Sequence, residues 1–278
     1  MAGWVETYRG AAAPWECDVT EHFTLAFYLD RIAQAEANVA EQLGLIDALR
    51  AGGFARRYDV RLVRELHAGS AFHIESAAIG PRESGFGDEA RMGHRVIDTV
   101  SGEVTTWFDV SWQGVAMTSP VERARWEAPS LAVRPEPQDL SGLVPSMAGR
   151  VDPGDLDEFG RLGIAGIVHK FSDAAVQFGG AIGLTADYIA SARRSFSAFG
   201  LRLAIAREPK LGEAYRIDTG LAGLGTTSLR YLHLMREMAS GAEIARMDRY
   251  GVQLDLDARR PAPLAPALRE RAEQLLMT

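Results

Sequence analysis

The stretch Glu65-Leu-His-Ala-Gly-Ser-Ala-Phe-His-Ile-Glu-Ser-Ala-Ala-Ile-Gly80 lines up without gaps on Glu208-Pro-Lys-Leu-Gly-Glu-Ala-Tyr-Arg-Ile-Asp-Thr-Gly-Leu-Ala-Gly223, 143 residues further on. Five of the sixteen positions are identical, and Phe72/Tyr215, Glu75/Asp218 and Ser76/Thr219 are close substitutions. Downstream, His94 pairs with His233 and Ser101-Gly102 with Ser240-Gly241, at an offset of 139. Upstream, Asp18-Val-Thr-Glu-His-Phe23 reads against Asp173-Ala-Ala-Val-Gln-Phe178 at an offset of 155, and Gly44-Leu45 against Gly200-Leu201 at 156. Matches that keep their order imply a duplicated module. The changing offset places longer loops of the first copy near 46–58 and 81–90.

The first copy reads as one strand, one long helix and a meander of strands. Residues 4–15 are extended in composition, and a polar turn occupies 16–21. From 22 to 43 the pattern is helical, with Leu25, Leu29, Ile32, Val39 and Leu43 on one face, Glu36 as the polar member and Gly44 as the stop. Segments 54–66, 70–80, 90–100 and 103–117 read as strands. In the last of them Val104, Thr106, Phe108, Val110 and Trp112 alternate with Glu103, Thr105, Trp107, Asp109 and Ser111, the signature of a sheet with one covered face. Gly69, Ser84-Gly85-Phe86-Gly87 and Ser101-Gly102 read as turns. The second copy is expected as a strand near 163–172, a helix over 177–199 and strands over 201–210, 213–224, 226–239 and 243–256. Pro120, Pro129, Pro135, Pro137, Pro145 and Pro153 break helix and central strand alike. The expected division is therefore a unit over 1–117, a linker over 118–162, a second unit over 163–257 and a tail over 258–278 with a short helix. The class is α+β.

Composition narrows the function. Hydrophobic residues make up 47% of the 278, enough for a sizeable core. The net charge of −7 argues against a nucleic-acid partner. Arginine groups such as Arg56, Arg57, Arg61 and Arg64, or Arg193 and Arg194, read as solvated faces. One cysteine, Cys17, permits no intrachain disulfide and fits a reducing compartment. No apolar stretch approaches 18 residues, and the N-terminus lacks a basic region followed by an apolar one, so a soluble, cytoplasmic protein without a membrane partner is expected. The histidines do not have metal-ligand spacing, no phosphate loop follows a strand, and no Gly-x-Ser-x-Gly occurs, so no metal and no cofactor is expected.

One run carries more. Trp15-Glu-Cys-Asp18-Val-Thr-Glu-His22-Phe-Thr-Leu-Ala-Phe-Tyr28 follows a strand and enters the long helix. It resembles the Asp-x-x-Gly-His turn of hotdog-fold thioesterases of the 4-hydroxybenzoyl-CoA thioesterase type. Two such units on one chain resemble the double hotdog also seen in acyl-ACP thioesterases. The resemblance covers roughly 5–117 and 163–256. It departs at Glu21, where the family has glycine, and at Thr24, where it often has asparagine.

The resemblance implies a tandem hotdog, each unit a long helix wrapped by a curved antiparallel sheet. It implies hydrolysis of an acyl thioester on CoA or on an acyl carrier protein, and a further homodimer is compatible with it. A helix N-terminus would polarise the thioester carbonyl, and a carboxylate would activate water or attack directly. By resemblance Asp18 is that carboxylate, His22 orients the carbonyl or the water, and Asp173 is the counterpart in the second copy. Glu21, Phe23, Thr24, Tyr28 and Gln177 complete the substrate-binding set, and Cys17 is read as a packed thiol. Two other readings stay open. An enoyl-CoA hydratase or dehydratase on the same fold would separate Asp and His by four residues rather than three. A non-catalytic acyl-thioester or lipid-binding module would accommodate Glu21 and the missing histidine at Gln177.

Overall fold

The strand over Val104–Gln113 is buried on both faces rather than on the one its alternation predicted, because Trp4 and Trp126 pack around Trp107 and Arg91 lies on Asp109. Phe72 and Ile74, Met92 and Val96, and Phe108, Val110 and Trp112 recur at every second or fourth position and are all buried to 1% exposure or less. The structure, a computed structural model, describes residues 3–80, 90–115, 122–130, 135, 137 and 139–277. It divides into two compact units, Met1–Ser130 with Gly163–Ala165, and Leu131–Leu162 with Gly166–Thr278.

The first unit contains β1 (Val5–Ala11), α1 (Leu25–Gln42), the short α2 (Ile46–Arg50), β2 (Phe54–Leu62), β3 (Ala71–Ala78), β4 (Ala90–Asp98) and β5 (Val104–Gln113). Its strands lie in the order β1-β3-β4-β5-β2, each pair antiparallel. Helix α1 buries Leu25, Leu29, Ile32 and Val39. Burying side chains of this size stabilises by about 1.5–3 kcal/mol each. Gly44, at φ 69°, turns the chain out of the helix as expected. The expected turn at Ser84-Gly85-Phe86-Gly87 lies outside the described residues.

Glu36 interrupts the apolar stripe for a reason that only the tertiary structure reveals. It is 6% exposed, and it accepts hydrogen bonds from Tyr58 Oη at 3.0 Å and Trp112 Nε1 at 2.7 Å. Glu36→Ala removes the acceptor of two buried donors and should cost about 2–4 kcal/mol in urea unfolding, whereas Glu36→Gln should cost clearly less. Equal losses for the two variants would contradict this account of Glu36.

The second unit contains β6 (Val144–Arg150), α3 (Ile164–Ile182), α4 (Ala186–Ala192), β7 (Arg194–Ile205), β8 (Ala214–Leu224), β9 (Ser228–Glu237), β10 (Glu243–Asp255), the two-residue β11 (Arg260–Pro261) and α5 (Pro266–Gln274). Its main strands follow the order β6-β8-β9-β10-β7. Both units carry the same buried chain of hydroxyls ending on a histidine. Thr7, Ser76 and His94 Nδ1 are linked at 2.6 and 2.7 Å, and Ser146, Thr219 and His233 Nδ1 at 2.7 and 2.8 Å. The repeats Ser76/Thr219 and His94/His233 therefore occupy equivalent places.

The start of the second copy differs from the sequence reading. Residues 163–172 are not a strand but the first half of α3, and 177–199 is not one helix, since the left-handed Arg193 (φ 50°) ends α4 and β7 follows. The β-branched content of Ile164, Ile167 and Val168 suggested a strand. Buried Ile164, Ile167, Val168, Phe171, Ala174, Phe178 and Ile182 instead recur at helical spacing. The strand that opens the unit is β6, inside the proline-rich stretch. Pro145 is tolerated because β6 ends the order β6-β8-β9-β10-β7 and its pairing with β8 shifts register between Pro145 and Met147. Among the described residues, no helix is long and apolar enough to cross a membrane.

Candidate functional site

The loop between β1 and α1 is a miniature hairpin. After the single 3-10 turn Pro14–Glu16, Cys17 bridges Phe23, and the backbone N–H groups of Asp18 and Thr24 donate to His22 O and Glu16 O at 2.9 Å each. Glu16 is tied to Arg31 on α1, which clamps the loop to the helix. At the tip, Asp18 Oδ1 accepts from Thr20 N at 2.8 Å, from the Thr20 hydroxyl at 2.5 Å and from His22 N at 3.3 Å. Glu21 takes φ 64°, the left-handed region that favours glycine. That conformation costs a non-glycine residue about 1–2 kcal/mol. Glu21→Gly should therefore raise stability by about 0.5–1 kcal/mol, after allowance for the freer unfolded chain. A lowered thermal midpoint would contradict this.

His22 is 7% exposed and held from both sides. Its Nδ1 is 2.8 Å from Thr20 Oγ1, and its Nε2 is 2.9 Å from Glu65 Oε2. The Thr20 hydroxyl has one hydrogen, and an ionised Asp18 can only accept, so that hydrogen goes to Asp18. Thr20 must then accept from His22 Nδ1–H. A proton must also lie between Nε2 and the Glu65 carboxylate, because two lone pairs at 2.9 Å would repel. His22 Nε2 and Glu65 Oε2 are thus placed for one hydrogen bond between them, with Glu65 one-third exposed. His67 joins the cluster, its ring 5.3 Å from that of His22 and its Nδ1 3.3 Å from Glu21 O.

The second unit repeats this loop at a constant offset of 139. Asp157 N donates to Arg161 O at 2.7 Å and Gly160 N to Asp157 O at 3.0 Å, Leu156 bridges Leu162, and Asp157 Oδ1 accepts from Phe159 N and Arg161 N at 2.9 Å each. Lys170 and Asp155, 2.7 Å apart, replace Arg31 and Glu16. Arg161 stands where His22 stands. Its Nε lies 3.3 Å from Asp157 Oδ2 and 3.6 Å from Glu208 Oε1, the counterpart of Glu65. Burial pushes the Glu208 carboxyl above its ordinary range. Gly160, at φ 74°, sits at the Glu21 position.

The expected residues fall as follows. Asp18, Glu21, His22, Phe23 and Thr24 lie together in the loop, but the Asp18 oxygen described above faces the loop backbone. Phe23 and Tyr28 are buried against each other with ring centroids 4.6 Å apart, and burial raises the Tyr28 hydroxyl far above its ordinary range. Thr24 begins α1 and its side chain makes no cap hydrogen bond, while its carbonyl accepts from Phe27 N and Tyr28 N at 3.0 and 3.2 Å. Burial and the neighbouring Asp18, Glu16 and Glu21 push the Cys17 thiol upward, away from nucleophilic use. Asp173 and Gln177 are not in the loop of the second copy. Both lie exposed within α3, and the true counterparts of Asp18 and His22 are Asp157 and Arg161. Sequence reasoning missed Glu65, Thr20 and Asp157. The signals were present in the aligned Glu65/Glu208 and in the shared spacing of Pro14-Trp-Glu-Cys-Asp18 and Pro153-Gly-Asp-Leu-Asp157. Among the described residues, no group of three or more His, Cys, Asp or Glu is placed to hold a metal ion.

Residues 151–272 match the sequence profile of the thioesterase-like superfamily. No curated protein matches the chain. Solved structures similar along nearly the whole chain include a Lactobacillus plantarum protein assigned as an oleoyl thioesterase, at a TM-score of 0.67 and 14% identity over 90% of this chain and 97% of that one. An acyl-ACP thioesterase from Bacteroides thetaiotaomicron gives 0.63 and 12% identity over 88% and 96%. The 12:0-ACP thioesterase from Umbellularia californica gives 0.59 and 15% identity over 91% and 93%. The fold is a tandem hotdog of the α+β class, as the sequence implied.

Proposed function

We propose that this chain is a thioesterase that hydrolyses an acyl thioester carried on CoA or on an acyl carrier protein, with the His22–Glu65 pair moving the proton. The carrying observation is the 2.9 Å contact between a buried imidazole and a partly exposed carboxylate. Glu65 takes a proton from water as the water oxygen attacks the carbonyl carbon. The tetrahedral intermediate collapses, the C–S bond breaks, and the pair returns a proton to the thiolate. The products are a carboxylic acid and a thiol. Asp18 and Thr20 hold the histidine in one tautomer, so no reorientation is needed during turnover. The uncapped start of α1 suits the oxygen that gains negative charge. The profile match and the fold both support this chemistry.

The reading extends to a reducing compartment such as the cytoplasm, since the single cysteine can form no intrachain disulfide. The test is release of free thiol from a panel of acyl-CoA and acyl-ACP substrates. Turnover of at least one, abolished in His22→Gln, is expected. Thiol release that persists in His22→Gln, or its absence from every substrate, would refute the proposal. Hydration of an enoyl-CoA without thiol release would point to the hydratase reading instead.

A further inference from the structure

Equivalent backbone bonds align the two copies position by position. Val63 N and Arg64 N donate to Thr105 O at 2.8 and 3.1 Å, and Ala206 N and Arg207 N donate to Ile244 O at 2.8 and 3.4 Å. Thr105 and Thr106 are therefore matched by Ile244 and Ala245, and Glu65-Leu-His67 by Glu208-Pro-Lys210. The loop offset of 139 sets Tyr28 of α1 against Ile167 of α3, and both are buried.

In the first copy a backbone bond lies directly beside the His22–Glu65 pair. Phe23 N donates to Leu66 O at 2.8 Å, one residue past His22 on one arm and one past Glu65 on the other. The Phe23 ring stands edge-on to the Tyr28 ring with centroids 4.6 Å apart, and 5.5 Å from the Phe72 ring. Leu66 is 1% exposed and Tyr28 2%. Burial pushes the Tyr28 hydroxyl up, and the Thr106 hydroxyl, the Leu66 N–H and the Thr105 hydroxyl, which face its oxygen, oppose that push.

The second copy has lost every member of this group. Ile167, Ile244 and Ala245 carry no hydroxyl, and Pro209 has no N–H to give. It keeps both carboxylates, Asp157 and Glu208, but has Arg161 in place of His22. Its loop still closes, with Asp157 N donating to Arg161 O at 2.7 Å and Lys170 anchored on Asp155 at 2.7 Å. The missing groups are therefore not what folds such a loop. They are present in the copy where a histidine meets the carboxylate.

Resting on the hydrolase reading, we infer that Tyr28 is a positioning residue, which through Leu66 and Phe23 fixes the Glu65 carboxylate against His22 Nε2 and does not touch the acyl group.

Tyr28→Phe tests this in the full chain. It keeps the ring that packs on Phe23, removes the oxygen, and leaves the buried Leu66 N–H without that acceptor. The kcat for thiol release should fall by about 10–100-fold, with KM changed less than about twofold. The nitrogen-15 resonance of His22 Nε2 should move toward that of an imidazole with no carboxylate partner, while the His94 resonances stay in place. Ile32→Val, which trims one carbon from the buried stripe of α1, is the stability control. It should lower the thermal midpoint and leave kcat and the His22 resonance as in wild type. A folded Tyr28→Phe protein whose His22 resonance is unmoved would overturn the inference, whatever its kcat. So would a raised KM at unchanged kcat, which would put Tyr28 on the acyl group, or equal losses in Ile32→Val. If the wild type releases no thiol from any substrate, the hydrolase reading fails and the His22 resonance alone decides: a shift in Tyr28→Phe sustains the positioning of the pair, and no shift overturns it.

Discussion

Glu65→Gln should lower the rate of thiol release by about 10²–10⁴-fold, the span that a positioned acid–base group supplies. Glutamine keeps the shape of glutamate, and its amide N–H can donate to His22 Nε2 across the same 2.9 Å, so the loop and the thermal midpoint should hold. What is lost is the proton between the two side chains. The loss should fall on kcat rather than KM, because Glu65 acts on the water and not on the acyl group. The stopped assay on wild type and variant, with circular dichroism of both, measures this. Undiminished kcat with an intact fold would mean that Glu65 is no base. Asp18→Asn should behave differently. The introduced amide can still accept through its carbonyl oxygen, but without the carboxylate's charge, so a smaller loss is expected, traced to a looser His22.

The second large effect is on stability in acid. His94 and His233 are fully buried, and burial lowers each imidazole to about 3. Asp109 opposes that shift at His94, and Arg249 adds to it at His233. Their Nδ1 atoms are bonded to Ser76 and Thr219, while the Nε2 atoms find no hydrogen-bonding partner among the described residues. In the unfolded chain each titrates near 6.5. Between 6.5 and 3 the unfolded chain therefore binds more protons than the folded one, and stability falls as pH falls through that window. Each histidine adds at most about 1.4 kcal/mol per pH unit to the slope, or roughly 3 kcal/mol by about pH 4.5. Urea unfolding from about pH 7 to about 4.5 should show this slope, flattened in the His94→Gln/His233→Gln double variant even if that variant is less stable at neutral pH. An unchanged slope would mean that these histidines do not couple acid to unfolding.

Much of the fold was legible in the residues. The helical stripe from Leu25 to Val39 is a local pattern that the structure realises, and Val104–Gln113 is a strand as expected, but it is buried on both faces rather than one. The match of Glu65–Gly80 to 208–223 and of His94 to His233 was sound because β3 and β8 carry the same buried hydroxyls in the same register. The reading failed where proline outweighed periodicity. Prolines around β6 hid the true partner of β1, so the Asp18 loop was set against the middle of α3 at an offset of 155 instead of against Asp157 at 139. Half of the candidate site was legible for a related reason. Asp18 and His22 are neighbours in sequence, but Glu65 approaches His22 only because the loop after β2 folds back, Phe23 N donating to Leu66 O at 2.8 Å and His22 bridging His67. No local spacing encodes that meeting. Glu21 looked like a defect because a glycine was missing. The structure shows instead that the left-handed turn survives the substitution at an energetic cost.

The most direct measurement is the nitrogen-15 spectrum of the His22 ring in the intact protein, compared with Glu65→Gln. With Thr20 donating to Asp18, Nδ1 should carry a hydrogen in both proteins, and Nε2 should shift between the pair's shared-proton state in wild type and an unprotonated acceptor in Glu65→Gln. A wild-type spectrum with Nδ1 unprotonated would contradict the relay through Thr20 and the proton held between His22 and Glu65.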